Sequence, residues 1–337
     1  MPATSEDWLA LVREDPIDPA LPIIDAHHHL WDHPDHRYLT ADFAADANSG
    51  HNIRQSVFVE CLAFYRKGEP AHLKPVGETQ AIRELAEAHD GDTGGQPKIA
   101  AGIVGFADLE LGAAVSTVLA AHIEAGAGRF RGIRHASSWD ASSKVRNAHT
   151  NPPEGLLADA SFRQGFACLA RHDLSFDAWL YHPQIPELTA LAHAFPDTVL
   201  ILDHVGGPLG IGPYAGKRDQ VFARWKSDIA ELARCSNVCV KLGGIAMKMN
   251  GYDWHRRDKP PGSIELADAA APWFEHCIEQ FGVQRCMFES NFPVDKLSCS
   301  YNVLWNAFKR ITQGFSADER SALFHDTAAR VYRLDLP

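Results

Sequence analysis

The segment most suited to chemistry in this 337-residue sequence is the run of three histidines at 27–29, which follows the apolar residues 21–24. If this segment is a β-strand, side chains alternate between its faces, so His27 and His29 point one way and His28 the other. Two imidazoles on one face lie about 7 Å apart along the strand, close enough to converge on one metal ion or substrate. We therefore expect His27 and His29 to belong to a functional site.

The composition is ordinary for a globular protein, with 45% hydrophobic and 22% charged residues. A formal charge of −11 argues against nucleic acid or an anionic membrane surface as a partner. Seven cysteines without a Cys-x-x-Cys pair are typical of reduced, buried thiols in a cytoplasmic protein. The sequence has neither a signal peptide nor an apolar run of the roughly 20 residues that span a membrane. We expect a cytoplasmic protein that binds a small molecule, as a monomer or a homo-oligomer.

Apolar strand-like runs alternate with amphipathic helical segments along the sequence. Eight such runs occur at 22–27, 56–61, 98–104, 130–135, 175–180, 198–203, 238–242 and 286–289. Helical segments lie between them at 79–89, 111–125, 158–171, 186–195, 221–233 and 267–280, and two more follow at 301–312 and 317–332. This alternation predicts a single-domain, distorted (β/α)8 (TIM) barrel over residues 21–337, preceded by an extension of residues 1–20. An open doubly wound sheet is the alternative.

Polar residues stand at the carboxyl ends of most of these strands, where (β/α)8 barrels carry their chemistry. In chain order they are His27 and His29, Glu60, Arg131 and Arg134, Tyr181 and His182, Asp203 and His204, Lys241, and Glu289, Asn291 and Asp295. A polar residue at one strand end carries little weight, because most such residues only satisfy local hydrogen bonds. Their joint occurrence favours an enzyme.

Three motifs resemble the amidohydrolase-2 group of the amidohydrolase superfamily: Asp-Ala-His-x-His-Leu-Trp at 25–31, Leu-Asp-His-x-Gly-Gly-Pro at 202–208 and Glu-Ser-Asn-Phe-Pro at 289–293. Within that group the sequence is most similar to sugar-lactone and 2-pyrone-4,6-dicarboxylate lactonases, from about residue 22 to the end. The resemblance implies a hydrolase that opens the ring of a small lactone. A metal-dependent decarboxylase or hydratase, and a catalytically inactive binding protein, are the alternatives.

The resemblance also implies that His27, His29 and His204 surround a divalent metal ion or the substrate, with His182 as a looser match for a fourth histidine. The group usually has an aspartate where this sequence has Asn291. An asparagine is not a general base and supplies no charge to a Zn²⁺ site. Three histidines still suffice to hold Zn²⁺, whereas the electrophilic carbonyl of a lactone also permits metal-free hydrolysis. Both alternatives stay open.

If Asn291 does not take a proton from water, another group must. The candidates are Glu289 first, then a strand-end histidine, then Asp295. Clustered cations predict an anionic substrate, because a guanidinium binds a carboxylate through two hydrogen bonds. The expected substrate-binding residues are Glu60, Arg131, Arg134, Tyr181, His182 and Lys241. The long segment 247–263 is typical of a lid over such a site.

Overall fold

The computed structural model describes residues 6–34, 36–93 and 97–335. Eight parallel strands pair in chain order: β1 (Pro22–His28), β2 (Asn52–Val59), β3 (Lys98–Gly105), β4 (Phe130–Arg134), β5 (Ser175–Ala178), β6 (Leu200–Leu202), β7 (Val238–Leu242) and β8 (Cys286–Phe288). Backbone hydrogen bonds from Asn291 N to His27 O (2.9 Å) and from His29 N to Phe292 O (2.8 Å) join the segment after β8 to β1. The predicted distorted (β/α)8 barrel is confirmed, and the open doubly wound sheet is wrong.

Helices surround the barrel, and the first of them belongs to the amino-terminal extension. They are α1 (Glu6–Leu9), α2 (Thr40–Ala47), α3 (Val76–Thr93), α4 (Val115–Gly126), α5 (Ala160–Arg171), α6 (Ile185–Ala194), α7 (Arg218–Leu232), α8 (Ser263–Phe281), α9 (Tyr301–Ile311), α10 (Ala317–Ser321) and α11 (Thr327–Val331). A π-helical turn, Ala322–Asp326, separates α10 from α11 and interrupts the helix predicted at 317–332. A small antiparallel hairpin, Trp31–His33 with His36–Tyr38, and α2 were not predicted, because each is too short to show a period.

The strands are apolar on both faces because the barrel has a core on each side of its wall. Inside, side chains such as Ile24, Val57, Ile201 and Met287 pack together and against Tyr332 from the carboxyl-terminal segment. Outside, alternate side chains of the same strands pack under the helices. This double burial explains why the strands read as continuous hydrophobic runs.

The described part of the extension, residues 6–20, packs against α8, α9 and the segment before α8. Trp8 Nε1 donates to Arg257 O (3.0 Å), and Glu14 Oε1 accepts from Ser263 N (2.8 Å). The first five residues of the predicted extension 1–20 lie outside the described residues. Within the described ranges, no helix is both long enough and apolar enough to cross a membrane.

Candidate active site

Strand β1 directs His27 and His29 into the mouth of the barrel and His28 into the packing behind it. The Nε2 atoms of His27 and His29 lie 3.2 Å apart. His28 stacks on Phe43, with ring centroids 4.1 Å apart, and its Nε2 lies 2.9 Å from Ser56 Oγ. The alternation of faces expected along this strand is therefore observed.

The contacts of His29 define which of its ring nitrogens carries a proton. Its Nδ1 lies 2.7 Å from Val59 O, an acceptor, so Nδ1 is protonated and Nε2 carries a lone pair. His27 Nδ1 lies between two partners, 3.0 Å from Glu289 Oε2 and 3.2 Å from Lys241 Nζ. Burial, together with neighbouring cations, lowers the pKa of both histidines, that of His29 well below its usual value. His29 thus turns the lone pair of its Nε2 toward His27.

His204, which follows β6, is held by a carboxylate from β8. Its Nδ1 lies 2.6 Å from Glu289 Oε1, and its backbone N–H donates to the same oxygen at 3.2 Å. The Gly243-Gly244 pair after β7 makes room for this contact, because a Cβ on Gly243 would meet Glu289 Cγ at 2.3 Å and one on Gly244 would meet His204 Cγ at 2.5 Å. The ring of His204 is therefore fixed, with Nε2 as its unoccupied nitrogen.

Glu289 is placed differently from the general base that its position in the sequence suggested. Burial alone would raise the pKa of its carboxyl group, but His204 and His27 lower it to about 2. The side chain is fully buried and does not line the cavity described below. Glu289 is therefore an ionised partner of two histidines, placed behind the cavity wall and not on it.

Lys241 lies beneath His27 rather than at the mouth. Its Nζ contacts Asp177 Oδ2 at 2.5 Å, Asp203 Oδ1 at 3.0 Å and His27 Nδ1 at 3.2 Å, and the side chain is fully buried. Burial alone would lower the pKa of this lysine, but the two aspartates raise it. Lys241 was expected to bind substrate, but its ammonium group forms ion pairs with both aspartates.

Glu60 neutralises cations instead of binding substrate. Its Oε1 accepts from Arg134 Nε at 2.8 Å, and its Oε2 lies 3.1 Å from His149 Nε2. Burial alone would raise its pKa, but Arg134 and His149 lower it to about 2. Arg134 does reach the mouth, and its Nη1 lies 3.4 Å from His27 Nε2.

The buried groups around His27 carry an excess of negative charge. Four carboxylates face two cations: Glu60, Asp177, Asp203 and Glu289 against Arg134 and Lys241. Asp203 Oδ1 lies 3.0 Å from Lys241 Nζ, Asp203 Oδ2 lies 3.5 Å from Arg134 Nη1, and Glu289 Oε2 lies 3.0 Å from His27 Nδ1. Buried charge must be compensated, so this cluster suits a divalent cation. His27, His204 and Glu289 bring donor atoms within 4.8 Å of one another.

Asn291 lies at the end of β8 with its side chain tied to Asp295. Its Nδ2 donates to Asp295 Oδ1 at 3.0 Å, and Asp295 Oδ2 accepts from Ala246 N at 3.2 Å. Asp295 is fully buried, and burial raises its pKa to about 7. Asn291 itself lines the cavity.

A cavity of about 500 Å³ opens over these groups. It is lined by His29, Trp31, His33, Pro34, His36, Cys61, Leu62, Arg134, Arg146, His149, Trp179, His204, Met247, Asn291 and Val294. The guanidinium of Arg146 has no carboxylate partner among the described residues, while Tyr181 Oη donates to its carbonyl oxygen and fixes its backbone. Of the predicted lid segment 247–263, Met247 lines the cavity, whereas Tyr252 and Trp254 stack on one another at 4.3 Å.

Three expected substrate- or metal-binding residues lie away from this cavity, and their predicted placement was wrong. Arg131 is near the start of β4, where its carbonyl accepts from Arg333 Nη2 at 2.9 Å at the opposite end of the barrel. His182 lines a separate surface cavity, and its Nδ1 accepts from Leu209 N at 3.3 Å. Tyr181 supports Arg146 from behind instead of lining the wall.

The sequence analysis missed Asp177, Arg146 and His149. A lone acid within the apolar run Ser-Phe-Asp-Ala of β5 was the available signal for Asp177, because an unpaired charge is not tolerated in a barrel wall. Arg146 and His149 stand in the irregular segment between β4 and α5, which has no period from which to infer their direction.

Comparisons with known proteins agree with this geometry. A family model described as amidohydrolase matches residues 24–334. An uncharacterized protein of Sinorhizobium fredii is 36% identical in an alignment 334 positions long that covers 93% of this chain and 98% of that protein. An L-fucono-1,5-lactonase of Burkholderia multivorans is 30% identical in an alignment 329 positions long that covers 93% of this chain and 97% of the lactonase. A crystal structure of an amidohydrolase from Burkholderia multivorans with bound zinc is 26% identical, with a TM-score of 0.69 and coverage of 93% of this chain and 99% of that one.

Proposed function

Because the chain belongs to the amidohydrolase family and is a hydrolase, we propose that it opens the ring of a small lactone derived from a sugar acid or a dicarboxylic acid. The L-fucono-1,5-lactonase among its relatives supports this substrate class. A cavity of about 500 Å³ suits one small ring. The observation that carries the proposal is the His204–Glu289 pair, which presents a fixed imidazole nitrogen to that cavity.

His204 is the general base of this proposal. Glu289 holds the proton on Nδ1, so Nε2 has the lone pair that accepts a proton from water. The carboxylate also stabilises the imidazolium that forms. The carbonyl oxygen of Asn291 is the acceptor for the second water proton, since its amide nitrogen already donates to Asp295. A water held by His204 and Asn291 is the nucleophile.

Ring opening then follows in two steps. The water oxygen forms a bond to the lactone carbonyl carbon, its proton passes to His204, and the carbonyl oxygen becomes an oxyanion. Arg134 at the cavity wall offsets the developing charge. When the carbonyl reforms, the bond to the ring oxygen breaks, and that oxygen takes the proton from His204. The product is a hydroxy acid, which ionises at neutral pH.

The donor set fits a divalent cation bound by His27 and His29. Their Nε2 atoms lie 3.2 Å apart, which is near the separation of about 3.3 Å between two nitrogen ligands of a tetrahedral Zn²⁺ site with bonds of about 2.0 Å. A hydrogen bond from Nδ1 to Val59 O fixes the ring of His29, as is usual for a metal-bound histidine. Glu289 Oε2 lies 3.0 Å from Nδ1 of His27. We propose zinc at this position. When bound, it would supply Lewis-acid polarisation of the lactone carbonyl.

A charged substituent on the substrate would meet Arg146. Arg134 is compensated by Glu60, and Lys241 by Asp177 and Asp203. Arg146 is therefore the cation of the cavity wall that is free to bind a carboxylate. This replaces Arg131 as the anion-binding residue.

Turnover in H₂¹⁸O tests the proposed reaction. We expect one ¹⁸O atom in the new carboxyl group of each product molecule, read by mass spectrometry, and no release of CO₂. Release of CO₂ from a carboxylated substrate would favour a decarboxylase instead. Tight binding of lactones without any turnover would favour a binding protein.

A further inference from the structure

We propose that Asp295 is a positioning residue that fixes the side-chain amide of Asn291, so that its carbonyl oxygen and not its nitrogen faces the attacking water. The inference rests on the proposed function, in which Asn291 orients that water. It assigns a role to a buried acid that does not line the cavity.

The carboxylate of Asp295 accepts from two directions. Oδ2 accepts from the backbone N–H of Ala246 at 3.2 Å, and Oδ1 accepts from Asn291 Nδ2 at 3.0 Å. A backbone N–H donates in all circumstances, which commits Oδ2 to accepting. Above its pKa of about 7 the carboxyl group is ionised, and its second oxygen is then also an acceptor. In that state Asn291 must turn its NH₂ toward Asp295 and its carbonyl oxygen toward the cavity.

Other roles for the Asp295 carboxylate do not match its contacts. It does not cap the helical turn Asp295–Leu297, because Ser298 N and Cys299 N are bound by the carbonyl oxygen of Asp295 and not by its side chain. The adjacent Lys296 points away and binds Asp46 at 2.8 and 2.9 Å. The carboxylate therefore accepts hydrogen bonds from the side-chain amide of Asn291 and from the backbone N–H of Ala246.

The variant Asp295→Asn reverses this arrangement with little change in shape. Its Oδ1 must accept from Ala246 N, so its NH₂ group faces Asn291. Two facing NH₂ groups would leave a buried donor unpaired, which costs about 1–3 kcal/mol. Asn291 then turns its own oxygen inward and presents NH₂ to the cavity, where a donor cannot accept a water proton.

A double-mutant cycle separates positioning from general support. We expect Asp295→Asn to lower kcat on the order of 10²-fold, with KM changed less than about twofold. Made in an Asn291→Ala background, the same substitution should cause no further loss, since no amide is left to orient. An equal loss in both backgrounds would overturn the proposal.

The double variant Asn291→Asp/Asp295→Asn, in which the two residue types are exchanged, tests whether kcat can be restored. Its residue 291 accepts from the NH₂ of residue 295 through one oxygen and offers the other to the water. We expect kcat at least tenfold above that of Asp295→Asn alone, about half of the loss on a logarithmic scale. No recovery in a folded double variant would contradict the proposal.

Neutron diffraction from deuterated crystals of the full chain shows the orientation of the Asn291 side-chain amide without requiring turnover. The deuterons of Asn291 should face Asp295 in the wild type and the cavity in Asp295→Asn. Deuterons that face the cavity in the wild type would overturn the inference even if lactones are hydrolysed. An inactive wild type with the expected deuterons would sink the proposed function and leave the positioning intact.

Discussion

His204 Nδ1 lies 2.6 Å from Glu289 Oε1, and the backbone N–H of the same histidine donates to the same oxygen at 3.2 Å. This double attachment fixes the orientation of the ring and assigns the proton to Nδ1. It leaves Nε2 facing the cavity with a lone pair. In the proposed reaction this nitrogen, on the residue two positions after β6, takes the role that the sequence analysis first gave to Glu289.

The substitution Glu289→Gln should lower kcat by about 10²–10⁴-fold. A glutamine neither stabilises the imidazolium nor enforces the Nδ1 tautomer, so His204 loses basicity where it is needed. Steady-state kinetics measure this, and KM should change much less than kcat. The exposed Glu275→Gln on α8 is the matched control. A folded Glu289→Gln enzyme with more than half of the wild-type kcat would remove Glu289 from the mechanism.

Metal binding should depend on the histidines of β1 and not on the histidine after β5. We expect wild type and His182→Ala to bind one Zn²⁺ per chain. We expect His29→Ala to lose it, because His29 Nε2 is one of the two proposed ligand atoms. Elemental analysis after zinc loading and desalting reads the stoichiometry. Equal zinc content in all three proteins would place the ion elsewhere.

Loss of Glu60 should destabilise the fold in a pH-dependent way. Its folded-state pKa of about 2 lies below the ordinary glutamate value of 4.5, so its ionisation contributes stability above about pH 4.5 that disappears as the pH falls toward 2. At pH 7, Glu60→Gln should lower the free energy of unfolding by about 3 kcal/mol. Urea unfolding at several pH values measures this. A difference that grows on acidification would have the wrong sign.

Arg146 should select for a negatively charged lactone. Arg146→Gln removes the free cation of the cavity wall, so KM for a carboxylated lactone should rise about tenfold, equivalent to about 1.4 kcal/mol. KM for a matched neutral lactone should stay unchanged. Arg131→Gln, at the other end of the barrel, should affect neither. A parallel rise for both substrates would mean that Arg146 contributes packing and not charge recognition.

Much of the fold was predictable because it follows from local pattern. Strand β7 begins and ends at the predicted residues, 238 and 242, and β1 alternates its histidines as expected. Pairing between distant charges is not a local property. Nothing near Lys241 in the sequence indicates that it forms ion pairs with Asp177 and Asp203.

The sequence also did not determine which way side chains point near the ends of the strands. Arg131 and Arg134 both belong to β4, but they are three positions apart, and the first lies at the amino end of the strand. His182 follows β5 by a few residues, and the chain has already turned outward there. The sequence analysis singled out Asn291 as a departure from the family pattern, whereas its hydrogen bond to Asp295 required the structure.

Lactone hydrolysis by wild type and by His204→Asn tests the central claim most directly. Initial rates on a panel of 1,4- and 1,5-lactones of sugar acids and dicarboxylic acids are followed with a pH indicator, since each ring opened releases one proton. We expect wild-type turnover of at least one lactone and a loss of about 10²–10⁴-fold in His204→Asn. No turnover of any lactone by the wild type, or equal rates in the two proteins, would contradict the account.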